Sequence, residues 1–379
     1  MIDELRKTPV FQHLSGCVLT PEGWVHGGLD FRDRITSIGG VRVETPRGGD
    51  DIVLPGFIDL HVHGGAGADV MDAAGAVDTV ARLHAMHGTT ALLATTVTAS
   101  KEVTRRAMED VGRAMARRPK GCARVLGVHL EGPYINGDKL GAQPDFARPA
   151  DLEEVRSLHA LAPIRVLTLA TELPGHIEFV RQLKAMGIVA QCGHTSGSYE
   201  DGVAALMAGA KGFTHLFNAM SPLHHRKPGM VGAAIAHAEY SEIIPDLRHV
   251  HPGAIRAAMR AIPHLYCVTD STAAAGMPDG EYSLGTHTVT KCMGGVRLAD
   301  GTLAGSSLTM DQALRNLVDI GLELGDAARR LSTFPADYIG AQDRGRLERG
   351  AYADIAVFTT GLRLKAVYVE GEKIELAHA

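Results

Sequence analysis

Eight short apolar runs, most of them followed by a stretch of helical period, occupy the chain between residues 52 and 270. They are residues 52–61, 89–97, 124–131, 164–171, 187–194, 211–216, 242–250 and 264–270. Runs this short and apolar read as buried strands. Between them DTVARLHAMHG, HIEFVRQLKAMG and YEDGVAALMAGA carry apolar residues at helical spacing, and Gly88 and Gly187 stand where a left-handed C-cap is expected. Strand–helix–strand repetition implies parallel pairing, since a crossover must return the chain to the same end of the sheet. Eight units are the number that closes a barrel, so the pattern predicts an α/β fold, a (β/α)8 TIM-like barrel.

The two ends read differently. Before Pro55 and after about Gly345, segments such as GRLERGAYADIAVF and LKAVYVEGEKI alternate apolar positions between glycine turns. Residues 1–54 and 345–379 are expected to form one small β-sandwich domain together, and residues 55–344 the barrel. A chain of 379 residues accommodates one barrel with such an appendage, and 45% hydrophobic with 21% charged residues describes a globular protein. A net charge of −5 without a polybasic run argues against nucleic acid as a partner. Five scattered cysteines lack CxxC spacing, which fits a reducing compartment. MIDELRKTPVFQHL has no apolar signal core, and no apolar stretch is long enough to span a bilayer, so no membrane association and a cytoplasmic location are expected.

The first run ends in His61 and His63. On a strand, residues two apart face the same side, so both imidazoles can converge on one ion. Taken alone, the pair reads equally well as hydrogen-bonding core histidines; partner ligands must decide. Barrel active sites are assembled at the C-terminal ends of strands. There the first run offers Asp59, His61 and His63, the third Glu131, the fifth His194, the sixth His215, the seventh His249 and the eighth Asp270. His61, His63, Glu131, His194 and His215 form a ligand set of nitrogen and carboxylate donors suited to zinc or iron, with Glu131 able to bridge two ions.

PGFIDLHVHG, HLEGPYIN, GHTSGS, THLFNAM followed by Arg226, VTDS, LAGSSLTM and GRLERGAYADI occur in this order along nearly the whole chain. In this the chain resembles the amidohydrolase superfamily, and within it the N-acetylglucosamine-6-phosphate deacetylases, for which HLEGP and HLFNAM are the narrow markers. The resemblance implies hydrolysis of N-acetylglucosamine 6-phosphate to glucosamine 6-phosphate and acetate, with the N-acetylgalactosamine epimer or another amidohydrolase activity as alternatives. It implies that Glu131, His194 and His215 bind one divalent ion, and that His61 and His63 bind a second that some members lack. Zinc is the first expectation, with iron, manganese and cobalt also accepted by such donors. By the same resemblance Asp270 is the catalytic acid and base, and Ala142, Gln143, Asn218, Ala219, Arg226, His249, Leu303, Ala304 and Gly305 contact the substrate. It also implies a homodimer in which Arg226 or His249 completes the neighbouring subunit's site.

Chemistry points the same way. Amide hydrolysis near neutral pH needs an activated water, and a divalent ion lowers the pKa of water from about 15.7 to about 7. The departing amine needs a proton, which a carboxylate such as Asp270 can first take from water and then deliver. Gln143, where the family pattern carries histidine or glutamine, can donate a hydrogen bond but cannot change protonation state, so it is expected as a catalytic residue that orients or polarises the carbonyl while the metal carries more of the oxyanion charge, the alternative being a solvated loop amide. Arg226, within HHRKPG, is suited to phosphate, although His224, His225 and Lys227 beside it also describe a solvated basic loop. Relatives that bridge two ions with a carboxylated lysine differ from this chain, which has no strand-end lysine in that place. A noncatalytic sugar-phosphate-binding protein would have no need of Asp270.

Overall fold

The computed structural model describes residues 11–46 and 48–376; the expectations for residues 1–10 and 377–379 at the two ends lie outside them. Eight parallel strands form the barrel: β1 Phe57–Val62, β2 Thr89–Thr95, β3 Arg124–Glu131, β4 Ile164–Leu169, β5 Val189–Cys192, β6 Gly212–Phe213, β7 Tyr240–Ile243 and β8 His264–Cys267. Strands β1 to β6 pair in sequence order, and β7 pairs with β8. Two main-chain contacts close the ring: Leu216 N donates to Glu242 O at 2.9 Å, and Asp270 N donates to His61 O at 2.9 Å. The second of these joins two candidate site residues directly.

Helices wrap the barrel: α1 Ala76–Met86, α2 Lys101–Ala116, α3 Leu152–Leu161, α4 His176–Ala185, α5 Tyr199–Ala208, α6 Gly229–His237, α7 Pro252–Ala261 and α8 Met310–Asp319. Side chains cap several of them, as where Ser198 and Asp201 form a capping box on α5. Gly88 and Gly187 take φ of 90° and 75°, the left-handed turn that ends α1 and α4. No described helix is long and apolar enough to cross a membrane.

The 52–61 run is not one strand. It divides at Gly56 into Ile52–Pro55, which belongs to an outer sheet, and β1. A Cβ at Gly56 would stand 2.2 Å from the Thr90 side chain, so the chain can pass this close to β2 only as glycine. The 242–250 run is also shorter than its composition suggests, because Pro245 has no N–H to continue the ladder and β7 ends at Ile243. His249 therefore sits six residues beyond the strand, in a loop. After β8 comes a three-stranded antiparallel flap, Gly280–Leu284, His287–Cys292 and Gly295–Arg297, which the run pattern does not anticipate.

Both chain ends build a seven-stranded sheet whose spatial order is 372–374, 364–369, 355–358, 52–55, 12–20, 23–31 and 35–43. Alternation along its strands divides the side chains between two cores. Cys17, Leu19, Ile52, Leu54, Ala356 and Phe358 join the barrel core, whereas Val18, Val53, Ile355 and Val357 join a separate cluster. Within that cluster the rings of Phe31 and Tyr368 meet edge-on at 5.2 Å, although three strands separate theirs in the sheet order. The sheet must therefore fold over on itself, as the expected sandwich requires.

Ion pairs fasten sheet to barrel. Glu370 accepts from Arg124, at the start of β3, at 2.6 and 2.8 Å, and from Arg344, which also holds the buried Asp354. Burial alone would raise the Glu370 pKa, but the Arg124 hydrogen bond and the two guanidinium charges bring it down to about 2. A carboxylate depressed in the folded state stabilises above its unfolded pKa of about 4.3, and that contribution is lost as pH falls through the folded value. Glu370→Gln should cost about 1.5–3 kcal/mol near pH 6, the scale of a charged hydrogen bond, and the gap to wild type should close between about pH 4.3 and pH 2. Denaturant melts across that range check this; a gap independent of pH would remove Glu370 ionisation as the cause.

Candidate active site

Strand ends carry the polar residues to one rim. His61 and His63 leave β1, Glu131 ends β3, and His194 and His215 stand two residues beyond β5 and β6. Asp270 stands three residues beyond β8. His194, His215 and Asp270 have φ of 47°, 28° and 49°, conformations that side chains with a Cβ seldom adopt. Each turns the chain out of its strand at the residue whose side chain must face the barrel axis. Such strain, of the order of 1–3 kcal/mol each, persists where the surrounding structure over-determines it.

Two donor sets result, all buried. In the first, His194 Nε2 and His215 Nε2 are each 3.1 Å from Glu131 Oε1 and 3.1 Å from each other. In the second, His61 Nε2 and His63 Nε2 are 3.1 Å apart and lie 3.4 and 3.2 Å from Asp270 Oδ1. Glu131 Oε2 is 3.2 Å from His63 Nε2, so the two oxygens of one carboxylate address different sets.

The hydrogen bonds behind the rings fix which nitrogens offer lone pairs. His194 Nδ1 donates to Lys139 O at 2.8 Å and His61 Nδ1 donates to Glu242 Oε1 at 2.7 Å, since neither oxygen can donate. Both Nε2 atoms therefore present lone pairs to the site. Clustered lone pairs and carboxylates at this spacing need positive charge between them. Nitrogen and oxygen donors a little over 3 Å apart match a small divalent ion with bonds of about 2.0–2.2 Å, so the residues fit a metal at either set.

Protons respond to the same demand. Burial would lower the His63 pKa, yet hydrogen bonds to Asp270 and Glu131 raise it to about 9. His61 is likewise raised against burial by the charges of Glu242, Glu131 and Asp270. Burial would raise Asp270, but the His61 charge and the His63 hydrogen bond hold it at about 2, and Glu131 lies well below its ordinary value for similar reasons.

A cavity of about 230 Å³ opens onto both sets. Of the expected substrate residues it reaches Ala142, Gln143, Asn218 and Ala219 on one side, and His249, Leu303 and Gly305 on the other. Gln143 is fixed in orientation: its Oε1 accepts from Thr98 N at 2.6 Å, leaving its amide N–H groups for Glu131 Oε2 at 2.5 Å and the cavity. His249 is held by Asp246 at 2.7 Å. A Cβ on Gly305 would come 2.9 Å from Asp270 O, which explains a glycine there, with φ +60°.

Two candidates lie elsewhere. Ala304 is fully buried and packs with Leu284, Val289 and Val296, so its side chain does not face the cavity. Arg226 is exposed, 2.8 Å from the His225 ring, and lines a different cleft with Lys227 and Ser198.

Other residues were not legible as site residues. Glu242 lies on β7 behind His61; the signal was an acid embedded in an apolar strand, which must find partners. His129 faces inward two residues before Glu131, but both its nitrogens are engaged, with Leu60 O at 3.0 Å and Thr168 Oγ1 at 2.7 Å. Asp59, by contrast, is already offered by the first run; it accepts from Thr269 Oγ1 at 2.6 Å and Thr269 N at 3.2 Å, and burial raises its pKa to about 7.

A family model, the amidohydrolase family, matches residues 52–374. The chain belongs to this family. Among similar proteins, an N-acetylgalactosamine-6-phosphate deacetylase of Escherichia coli O157:H7 is 36% identical to this amidohydrolase, over 94% of this chain and 97% of its own. An N-acetylglucosamine-6-phosphate deacetylase of Vibrio furnissii is 38% identical, over 85% and 82%. The fold superposes on an N-acetylglucosamine-6-phosphate deacetylase of Thermotoga maritima with TM-score 0.89 at 30% identity, covering 97% of this chain and 100% of that one. A Mycobacterium smegmatis enzyme of the same name, a mutant in complex with N-acetyl-D-glucosamine-6-phosphate, gives TM-score 0.89 at 32% identity, covering 97% and 99%. The resemblance read from HLEGP and HLFNAM is borne out, and with it the barrel-plus-sandwich fold.

If both donor sets of this amidohydrolase hold ions, elemental analysis of purified protein should find two per chain, falling toward one when His61 and His63 are both replaced by alanine. One ion per chain before and after the replacement would eliminate the second position.

Proposed function

We propose that this amidohydrolase removes the acetyl group from N-acetylglucosamine 6-phosphate by hydrolysis, giving glucosamine 6-phosphate and acetate. The observation that carries the reading is the pair of buried donor sets joined through Glu131, with Asp270 at the cavity wall beside them. Glu131, His194 and His215 would hold one divalent ion and His61, His63 and Asp270 a second, and zinc suits these donors best. A divalent ion in such a site acts as a Lewis acid toward a carbonyl and lowers the pKa of water to about 7.

The chain's own residues supply the rest. Asp270 is held as a carboxylate, the form that accepts a proton from the attacking water. It returns that proton to the amine nitrogen as the C–N bond breaks, giving a neutral amine and acetic acid, whose remaining proton passes to solvent or to the amine to leave acetate. Gln143, its oxygen engaged by Thr98 N, turns its amide hydrogens toward the acetyl carbonyl and steadies the developing oxyanion. Asn218, the Ala219 main chain, His249 and the Leu303–Gly305 segment bind the sugar phosphate.

Arg226 contributes to phosphate binding from outside its own cavity. Its exposure supports a homodimer in which Arg226 of one copy closes the cavity of the other, with His249 acting in its own. The N-acetylgalactosamine epimer is a second reading, favoured by a relative of that name aligned over 97% of its length. The two sugars differ only in the orientation of one hydroxyl.

Acetate release should be measured on both N-acetylhexosamine 6-phosphates and on their unphosphorylated forms. Asp270→Asn should fold yet turn over about 10²–10⁴ times more slowly, the range for loss of a general acid and base; near-normal turnover would remove Asp270 from the mechanism. Arg226→Ala should cost about 1.5–3 kcal/mol in kcat/KM on the phosphorylated sugars and little on the others. Mixing the Arg226→Ala and Asp270→Asn proteins should recover activity through mixed dimers. Equal losses on all four sugars would refute a phosphate role, and absence of recovery would place Arg226 in its own subunit's site.

A further inference from the structure

Glu242 is fully buried on β7, inside the barrel and below the metal centre. A carboxylate buried so deeply requires donors around it, and it has four within reach. Oε1 accepts from His61 Nδ1 at 2.7 Å and from the main-chain N of His215 at 3.0 Å. Oε2 accepts from Tyr266 OH at 3.3 Å and lies 3.5 Å from Gln191 Nε2. Gln191 in turn donates to Tyr266 OH at 2.7 Å and its oxygen accepts from Thr214 Oγ1, so the carboxylate is fixed by a closed polar layer across the barrel.

We propose that Glu242 is the positioning residue for the second ion, holding His61 in the tautomer and orientation that deliver its Nε2 lone pair. The inference rests on the two-ion reading of the site. An ionised carboxylate can only accept, so the His61 proton must sit on Nδ1, and Nε2 is left as a ligand. The other imidazole of that set has no such support: His63 Nδ1 has no partner among the described residues. His61 is thus the pre-oriented nitrogen of the second set, and Glu242 alone orients it. Carboxylate partners of this kind also raise the basicity of a ligating imidazole, and their loss typically costs 10–100-fold in metal affinity.

The first ion depends on Glu242 differently. There the contact is with the His215 main chain, which a neutral amide oxygen can also accept from. Glu242→Gln keeps size and an acceptor but no longer dictates the His61 tautomer, because the amide can turn to donate instead.

Wild type and Glu242→Gln, stripped of metal, should be titrated with Co²⁺ and followed by visible absorption and by chelator competition. The second equivalent should bind 10–100-fold more weakly in the variant, and the first as in wild type. In a His61→Gln background, Glu242→Gln should produce no further loss. If Glu242→Gln does not fold, Glu242→Asp, which shortens the reach to His61, serves in the same comparison. Unchanged affinity for both ions would overturn the proposal, as would equal weakening of both, which marks general structural support. A wild type that takes up one equivalent only defeats the two-ion reading itself, and the role of Glu242 with it.

Discussion

The mouth of the barrel is organised around one carboxylate. Glu131 sends one oxygen to His194 and His215 and the other toward His63 and Gln143, and it does so while fully buried. A carboxylate can serve two directions because each oxygen has its own pair of acceptor sites. Burial makes the arrangement demanding, since charges withdrawn from water must be compensated at close range. The barrel satisfies that condition by ending its strands at a common rim, so residues far apart in sequence arrive within about a ligand's reach. Closure of the ring is part of the same construction, because the bond from Asp270 N to His61 O joins the last strand to the first at the site itself.

The side of the molecule opposite the chemistry also bears on it. The strand that carries His61 and His63 continues directly from the outer sheet, with only Gly56 between Pro55 and Phe57. The outer sheet is in turn bound to β3 through Arg124 and Glu370. Thus β1 and β3, which lead to His61, His63 and Glu131, are both held at the ends remote from the donor sets.

Most of this was legible in sequence because barrel architecture turns strand ends into site residues. Each of the eight apolar runs overlaps a barrel strand, the seventh only at residues 242–243, and His61, His63, Glu131, His194, His215 and Asp270 converge as expected. The errors have local causes. Composition cannot show that Gly56 passes the chain from one sheet to another, or that Pro245 stops β7 well short of His249. Ala304 is expected from its place in the Leu303–Gly305 segment, whereas its side chain is buried in an apolar cluster and does not line the cavity. Arg226 rests on the resemblance and on guanidinium chemistry, and neither carries information about which cavity its loop reaches. Glu242 was invisible because its partners, His61 and the His215 main chain, are distant in sequence, and a buried acid declares its purpose only through its donors.

The left-handed backbone at His194, His215 and Asp270 has a further consequence. At most positions of a protein, the residue that serves function also suits the local fold, and selection on one reinforces the other. Here the two are opposed: glycine or asparagine would sit more easily in these conformations, and either would remove an imidazole or a carboxylate from the rim. A substitution that relaxes the chain here therefore takes a donor away from the buried cluster. At these three positions local backbone comfort and the donor at the rim cannot both be had.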